Sequence, residues 1–145
     1  MKTTRPLLVV LSLVTVIGIS LGGYTYVHKA ATSQVYAFNC GLMDYKPTSL
    51  TQYCADAGAG VAEIKWETWG ADGAIGTGNY AINDCEPTCV AGKWKYAKVD
   101  VRLSKLVHKG NKPVLSHIYY ESVDGKNLPL GKSAFEEWDL ISTPL

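Results

Sequence analysis

Beyond one apolar run near its start, the sequence has no long stretch of helical periodicity, no internal repeat and no low-complexity tract. Without amphipathic helical segments, the body of the chain is left to β structure. Acid is missing before Tyr36, where Lys2, Arg5 and Lys29 stand unopposed. The other 11 of the 14 basic residues share the rest of the chain with all 13 acids, so the body is weakly acidic. It lacks the concentrated positive field that nucleic-acid backbones require, and it lacks the overall charge of a polybasic membrane-surface protein. Catalytic signatures are missing too. The glycine-rich Gly76-Thr77-Gly78 has neither the spacing, the lysine nor the following helix of a phosphate loop.

What is present begins with an export signal. Lys2 and Arg5 precede an uncharged run of 22 residues, Pro6 to Val27. Its apolar heart, Leu7 to Leu21, has the length of a secretory core, and the whole run is about as long as a bilayer-spanning helix. Three endings fit: cleavage after Gly22, cleavage after Ala37, or no cleavage, leaving an anchor with its charged end inside. Cys40 lies too far beyond the run, after Ala37-Phe38-Asn39, to be a lipoprotein cysteine. Each ending places the remainder outside the cytoplasm. The expected organisation is a signal peptide or signal-anchor helix over residues 1–27, a linker over 28–39 and an extracytoplasmic domain over 40–145.

The four cysteines, Cys40, Cys54, Cys85 and Cys89, all follow that segment. An even number in an exported chain reads as disulfides. Three pairings are open; the one expected joins Cys85 to Cys89 in a tight loop around Pro87 and Cys40 to Cys54. A zinc site would need a Cys-x3-Cys pair completed by His108 and His117, a poor spacing.

Alternation supplies the strands. Around Glu63-Ile64-Lys65-Trp66-Glu67 the apolar residues fall on one side and the charges on the other. Trp69 breaks this phase, so either a bulge intervenes or its ring points outward. A hairpin at Gly70-Ala71-Asp72-Gly73 leads into Ala74 to Ile82, with Gly76, Gly78, Tyr80 and Ile82 on one face. Glycines opposite a tryptophan-bearing strand suggest a ring lying over bare backbone. Lys93 to Ser104 reads as the longest strand, with a bulge at Ala97 separating the phase of Trp94 and Tyr96 from that of Val99, Val101 and Leu103. A loop over His108 to Pro113, a strand over Val114 to Val123, a turn at Asp124-Gly125 and a last strand over Ala134 to Ile141 complete the chain. The expected fold is all-β, a small antiparallel β-sandwich or partly open barrel. Its apolar face comprises Ile64, Trp66, Ile82, Val99, Val101 and Leu103.

The segments Cys54-Ala55-Asp56, Ile64-x-Trp66-x-x-Trp69-Gly70, Gly76-Thr77-Gly78, Asn83-Asp84-Cys85-x-Pro87-x-Cys89 and Gly92 together form a pattern. It resembles that of a group of small exported actinobacterial proteins of no established activity. The likeness covers roughly residues 40 to 104 and departs from the group at Val90 and at Asp56-Ala57-Gly58. It implies export and a β fold.

Groups for catalysis are few. Glu63 and Glu67, four residues apart on an extended chain, would lie about 13 Å apart by strand rise, too far for either glycosidase geometry. His117 has no nucleophile and orienting acid assigned to it, and His108 reads as exposed. The aromatic content is the stronger lead, with nine tyrosines and four tryptophans. Trp66 and Trp138 read as core; Trp69, Trp94, Tyr119 and Tyr120 are the candidates for an exposed binding surface suited to a sugar face or a protein. The expectation is an exported, non-catalytic envelope module that needs no cofactor and binds a protein or cell-wall glycan. It would also contact the membrane if the N-terminal segment is uncleaved. The competing expectation is a small hydrolase of envelope polymers.

Overall fold

A computed structural model describes residues 34–142; the apolar N-terminal segment lies outside the described residues. Eight strands follow one another: β1 (Tyr36–Asn39), β2 (Leu42–Asp44), β3 (Leu50–Thr51), β4 (Ala59–Gly70), β5 (Gly73–Asn83), β6 (Trp94–Lys109), β7 (Lys112–Ser122) and β8 (Phe135–Asp139). No helix occurs among the described residues. The first strand lies within the stretch read from the sequence as a linker.

All eight strands belong to one open sheet, ordered β2-β1-β7-β6-β5-β4-β3, with β8 also paired to β7. This corrects the expectation of a wholly antiparallel domain, because β1 pairs with β7 in parallel, Tyr36 opposite Val114 and Ala37 opposite Leu115. The strands form one mixed sheet, and the two sheets of a sandwich are not seen among the described residues. The β1–β2 end of the sheet is joined to the β3 end by side-chain bonds: Asn39, the last residue of β1, accepts from the Thr51 N–H and donates to the Ser49 carbonyl. The Cys40–Cys54 disulfide joins the same two edges.

The inward face is built as alternation demands. Val99, Val101 and Leu103 of β6 are buried, as are Val114, Ile118 and Tyr120 of β7, Tyr80 of β5, and Val61 and Ile64 of β4. Trp66, Trp69, Ile82 and Trp138 pack partly buried against them. Four of the six expected core residues are therefore buried, and the other two, Trp66 and Ile82, border the core. The strand register of β5 on β6 runs unbroken from Asn83↔Trp94 to Ala74↔Leu103, so the bulge expected at Ala97 is absent. Trp94 and Tyr96 keep the outward phase of Lys98, Asp100 and Arg102. The expected loop over 108–113 is also shorter. β6 and β7 continue to a two-residue turn at Gly110-Asn111, where Gly110 takes a φ of +61° that suits glycine.

Candidate functional site

β4 carries two irregularities that set the tryptophans. Its register on β5 shifts between Ala62 and Lys65 and again between Trp66 and Thr68, with Glu63 in the left-handed region. The second shift swallows the phase break, so Trp66 and Trp69 both face inward. Each indole N–H is satisfied, Trp66 Nε1 donating to the Pro47 carbonyl at 2.8 Å and Trp69 Nε1 to the Val35 carbonyl at 2.9 Å. The two rings meet edge to face at 4.9 Å, and Tyr45 meets Trp69 at 6.1 Å. Trp69 is therefore a half-buried brace between β4 and the incoming chain, not a ring presented on a hairpin tip. A Cβ at Gly76 would lie 3.0 Å from Trp66 Cε3 and 2.5 Å from the Lys65 carbonyl oxygen. That is the bare backbone under a ring that the sequence suggested.

The Asn83-Asp84-Cys85 segment is a self-capped loop. Asn83 is nearly buried; its amide donates to the Cys89 carbonyl and accepts from the Cys85 N–H. The Asp84 carboxylate accepts from the backbone of Lys93 and Glu86, and these bonds, Lys93 first, hold its pKa below the ordinary carboxylate value. Cys85–Cys89 closes the loop, which contains a cis Glu86–Pro87 peptide. At Gly92 no side chain fits: a Cβ would fall 2.0 Å from Asn83 Oδ1. Asn83, Asp84, Cys85, Cys89 and Gly92 thus each have a local structural task.

This loop delivers the chain into β6 at Trp94. Asn83 pairs with Trp94 and Ala81 with Tyr96, so both rings stand on the outward face, 46% and 66% exposed. Two residues apart on one strand, they lie about 7 Å from each other. A shallow depression of about 160 Å³ beside Trp94 is floored by small residues, among them Gly60, Ala62 and Ala81. A second, of about 360 Å³, lies beside Tyr96 and is lined by Lys98, Val123, Asp124 and Asn127. Tyr96 was missed in the sequence; its strict alternation with the buried Val99 and Val101 was the available signal.

Tyr120 corrects a further expectation. It is wholly buried, because Ile118, Tyr120 and Ser122 share the inward phase of β7. Its hydroxyl donates to Glu136 Oε2 at 2.7 Å, and its ring stacks on Tyr80 at 5.2 Å. Burial, and then the negative charge of Glu136, push the Tyr80 pKa up to about 12; burial and the bond to Glu136 raise that of Tyr120 as well. Trp138 packs edge-on against Tyr120 and leaves its buried Nε1 without a partner. Tyr119 faces outward, half-buried, stacked on the exposed Phe135. It lies opposite Arg102, about 27 Å along β6 from Trp94 by strand rise. The four candidate aromatic residues therefore do not converge; only Trp94 and Tyr119 present rings outward, and at separate places.

No protein-family model, curated protein or solved structure matches the chain. His117 Nε2 lies 3.2 Å from Glu137 and its Nδ1 3.4 Å from Lys105 Nζ, a polar cluster bridging β6, β7 and β8. Glu63 is tied to Asn79 across β4 and β5. Among the described residues, no three His, Cys, Asp or Glu side chains are grouped to hold a metal ion.

Proposed function

We propose that the chain is an exported, non-catalytic binding module of the cell envelope, taking a flat-faced ligand on the Trp94–Tyr96 ridge. The observation that carries this reading is the exposure of two large rings at adjacent outward positions of a long central strand. Held by the β5 ladder on one side and by the capped loop before it, such rings lose little freedom on binding. Aromatic faces of this kind stack on the apolar face of a sugar or fill a protein interface. A cell-wall glycan is the favoured ligand, since the flanking depressions offer hydroxyl-matching groups such as Asn127 and Asp124 beside Tyr96. Export rests on the N-terminal run, on two disulfides of the kind that persist in oxidising compartments, and on the resemblance to small exported actinobacterial proteins. If the apolar run is uncleaved, the module stands on the membrane.

Co-sedimentation with isolated cell-wall polysaccharide tests the reading. Trp94→Ala should weaken binding on the order of 30-fold, the loss of an anchor worth about 2 kcal/mol, and leave thermal stability nearly unchanged. Equal binding by wild type, Trp94→Ala and Tyr96→Ala would remove the ridge from consideration. Release of reducing ends from the polysaccharide would turn the reading to a hydrolase instead.

A further inference from the structure

A second surface lies where the chain enters the folded unit. Lys46 Nζ sits over the Tyr45 ring at 5.6 Å, Tyr45 meets Tyr36 at 6.5 Å, and Lys112 Nζ sits over Tyr36 at 5.0 Å. Lys109, at the end of the β6–β7 hairpin, lies 5.7 Å from the Phe38 ring. Phe38 in turn pairs with Met43 across β1 and β2. Met43 and Tyr45 are exposed, and all three lysines are exposed. Asp44, the one acid in the Leu42–Lys46 run, pairs with Ala37 and so has the opposite phase. Three ammonium groups thus stand among aromatic and thioether side chains on one side of the β1–β2 hairpin. None of these residues takes part in the Trp94–Tyr96 ridge.

We propose that this surface docks on an anionic lipid headgroup layer. Tyrosine rings with flanking lysines suit the interface of a bilayer, the rings at headgroup depth and the ammonium groups on phosphates. Position supplies the second argument. Val27 ends the apolar run eight residues before Val35, a connector that spans at most about 28 Å when fully extended. With the run in a bilayer, the surface is held within that reach, so even weak headgroup contacts are favoured by effective concentration. Each lysine near an anionic surface adds roughly fivefold to partitioning, and three add on the order of a hundredfold. The near-neutral charge of the whole chain does not oppose this, because screening confines the attraction to about 8 Å. The proposal rests on the reading of Pro6–Val27 as a membrane-reaching segment and not on the Trp94–Tyr96 site.

The test uses the full chain in nanodiscs of phosphatidylcholine, with or without phosphatidylglycerol, and a water-soluble lysine-acylating reagent read by mass mapping. Lys46, Lys109 and Lys112 should be labelled about tenfold more slowly in the anionic discs, while Lys65, Lys98 and Lys126, placed elsewhere on the fold, react equally in both. Half-molar salt should abolish the difference. Equal labelling of the three lysines in the two discs overturns the proposal, and so does protection that ignores lipid charge. In Lys46→Glu/Lys109→Glu/Lys112→Glu, radical footprinting at Met43 and Tyr45 should no longer depend on phosphatidylglycerol; continued dependence counts against the proposal. An unchanged footprint at the buried Tyr80 and Tyr120 verifies that this variant is folded.

Discussion

Replacing Trp69 by alanine separates a brace from a binding anchor. The ring packs on the core, meets Trp66 and Tyr45 edge to face, and donates its N–H to Val35. Each aromatic contact contributes about 0.5–1.5 kcal/mol beyond burial and the hydrogen bond about 1 kcal/mol. Full truncation of a buried tryptophan costs 3–5 kcal/mol; half-burial puts Trp69→Ala at the low end, about 3 kcal/mol. Trp69→Phe keeps an edge contact but abandons the Val35 carbonyl and should cost about 1–1.5 kcal/mol. Equilibrium urea unfolding of residues 34–145 with disulfides intact is the assay. With a slope near 1.5 kcal/mol/M, the alanine midpoint should fall by about 2 M with the slope unchanged. A loss below about 0.5 kcal/mol would refute the reasoning and return Trp69 to the list of exposed anchors.

Two further substitutions and one titration probe the loop and the core. Asn83→Ala strands the Cys85 N–H and the Cys89 carbonyl, so it should cost about 2 kcal/mol and speed amide exchange across 84–93; unchanged exchange would refute the capping role. Gly92→Ala forces a methyl into Asn83 Oδ1 and should cost about 1–3 kcal/mol, measurable in the same unfolding assay. The Tyr80 pKa, raised from 10.0 to about 12, makes its neutral form the one favoured by folding. That stabilisation is whole below pH 10, where the unfolded chain is also neutral, and is lost as pH rises through about 12, a change on the order of 2–3 kcal/mol. Absorbance titration should show Tyr80 ionising only above pH 11; ionisation near pH 10 in the folded protein would contradict its burial.

What could be read from the residues was whatever depends on near neighbours. The facing of Ile64, Val99, Val101 and Leu103 follows from alternation, and Gly76 beneath Trp66 from the pairing of adjacent strands. Proximity in sequence and an even count singled out the two disulfides. The parallel pairing of β1 with β7 was not legible, because nothing in Tyr36–Asn39 specifies a partner some 78 residues away. Trp69 misled for a related reason: a single inserted residue at the second bulge restores its inward phase, and neither glycine nor proline marks the spot. Tyr119 and Tyr120 are neighbours of like chemistry, so only the phase set by Ile118 tells which one is buried. Tyr36, Tyr45, Lys46, Lys109 and Lys112 come from distant segments, and composition alone argued against the surface they make.

The disulfide between Cys40 and Cys54 has a mechanical meaning. A pull applied at Val35 would first load β1, which is tied to β7 by only two paired residues and to the three-residue β2. Strands that short slide or peel under small forces. Once β1 is stripped, the covalent bridge one residue past it carries tension across to Cys54, and from there to the twelve-residue β4. β1 still bears the load, but the segment between the two cysteines, with β2 and β3, is taken out of series with it, so peeling that frees β1 stops at Cys40. The oxidised state of that one bond would decide whether unravelling from Val35 stops at Cys40 or runs on through β2 and β3 toward β4.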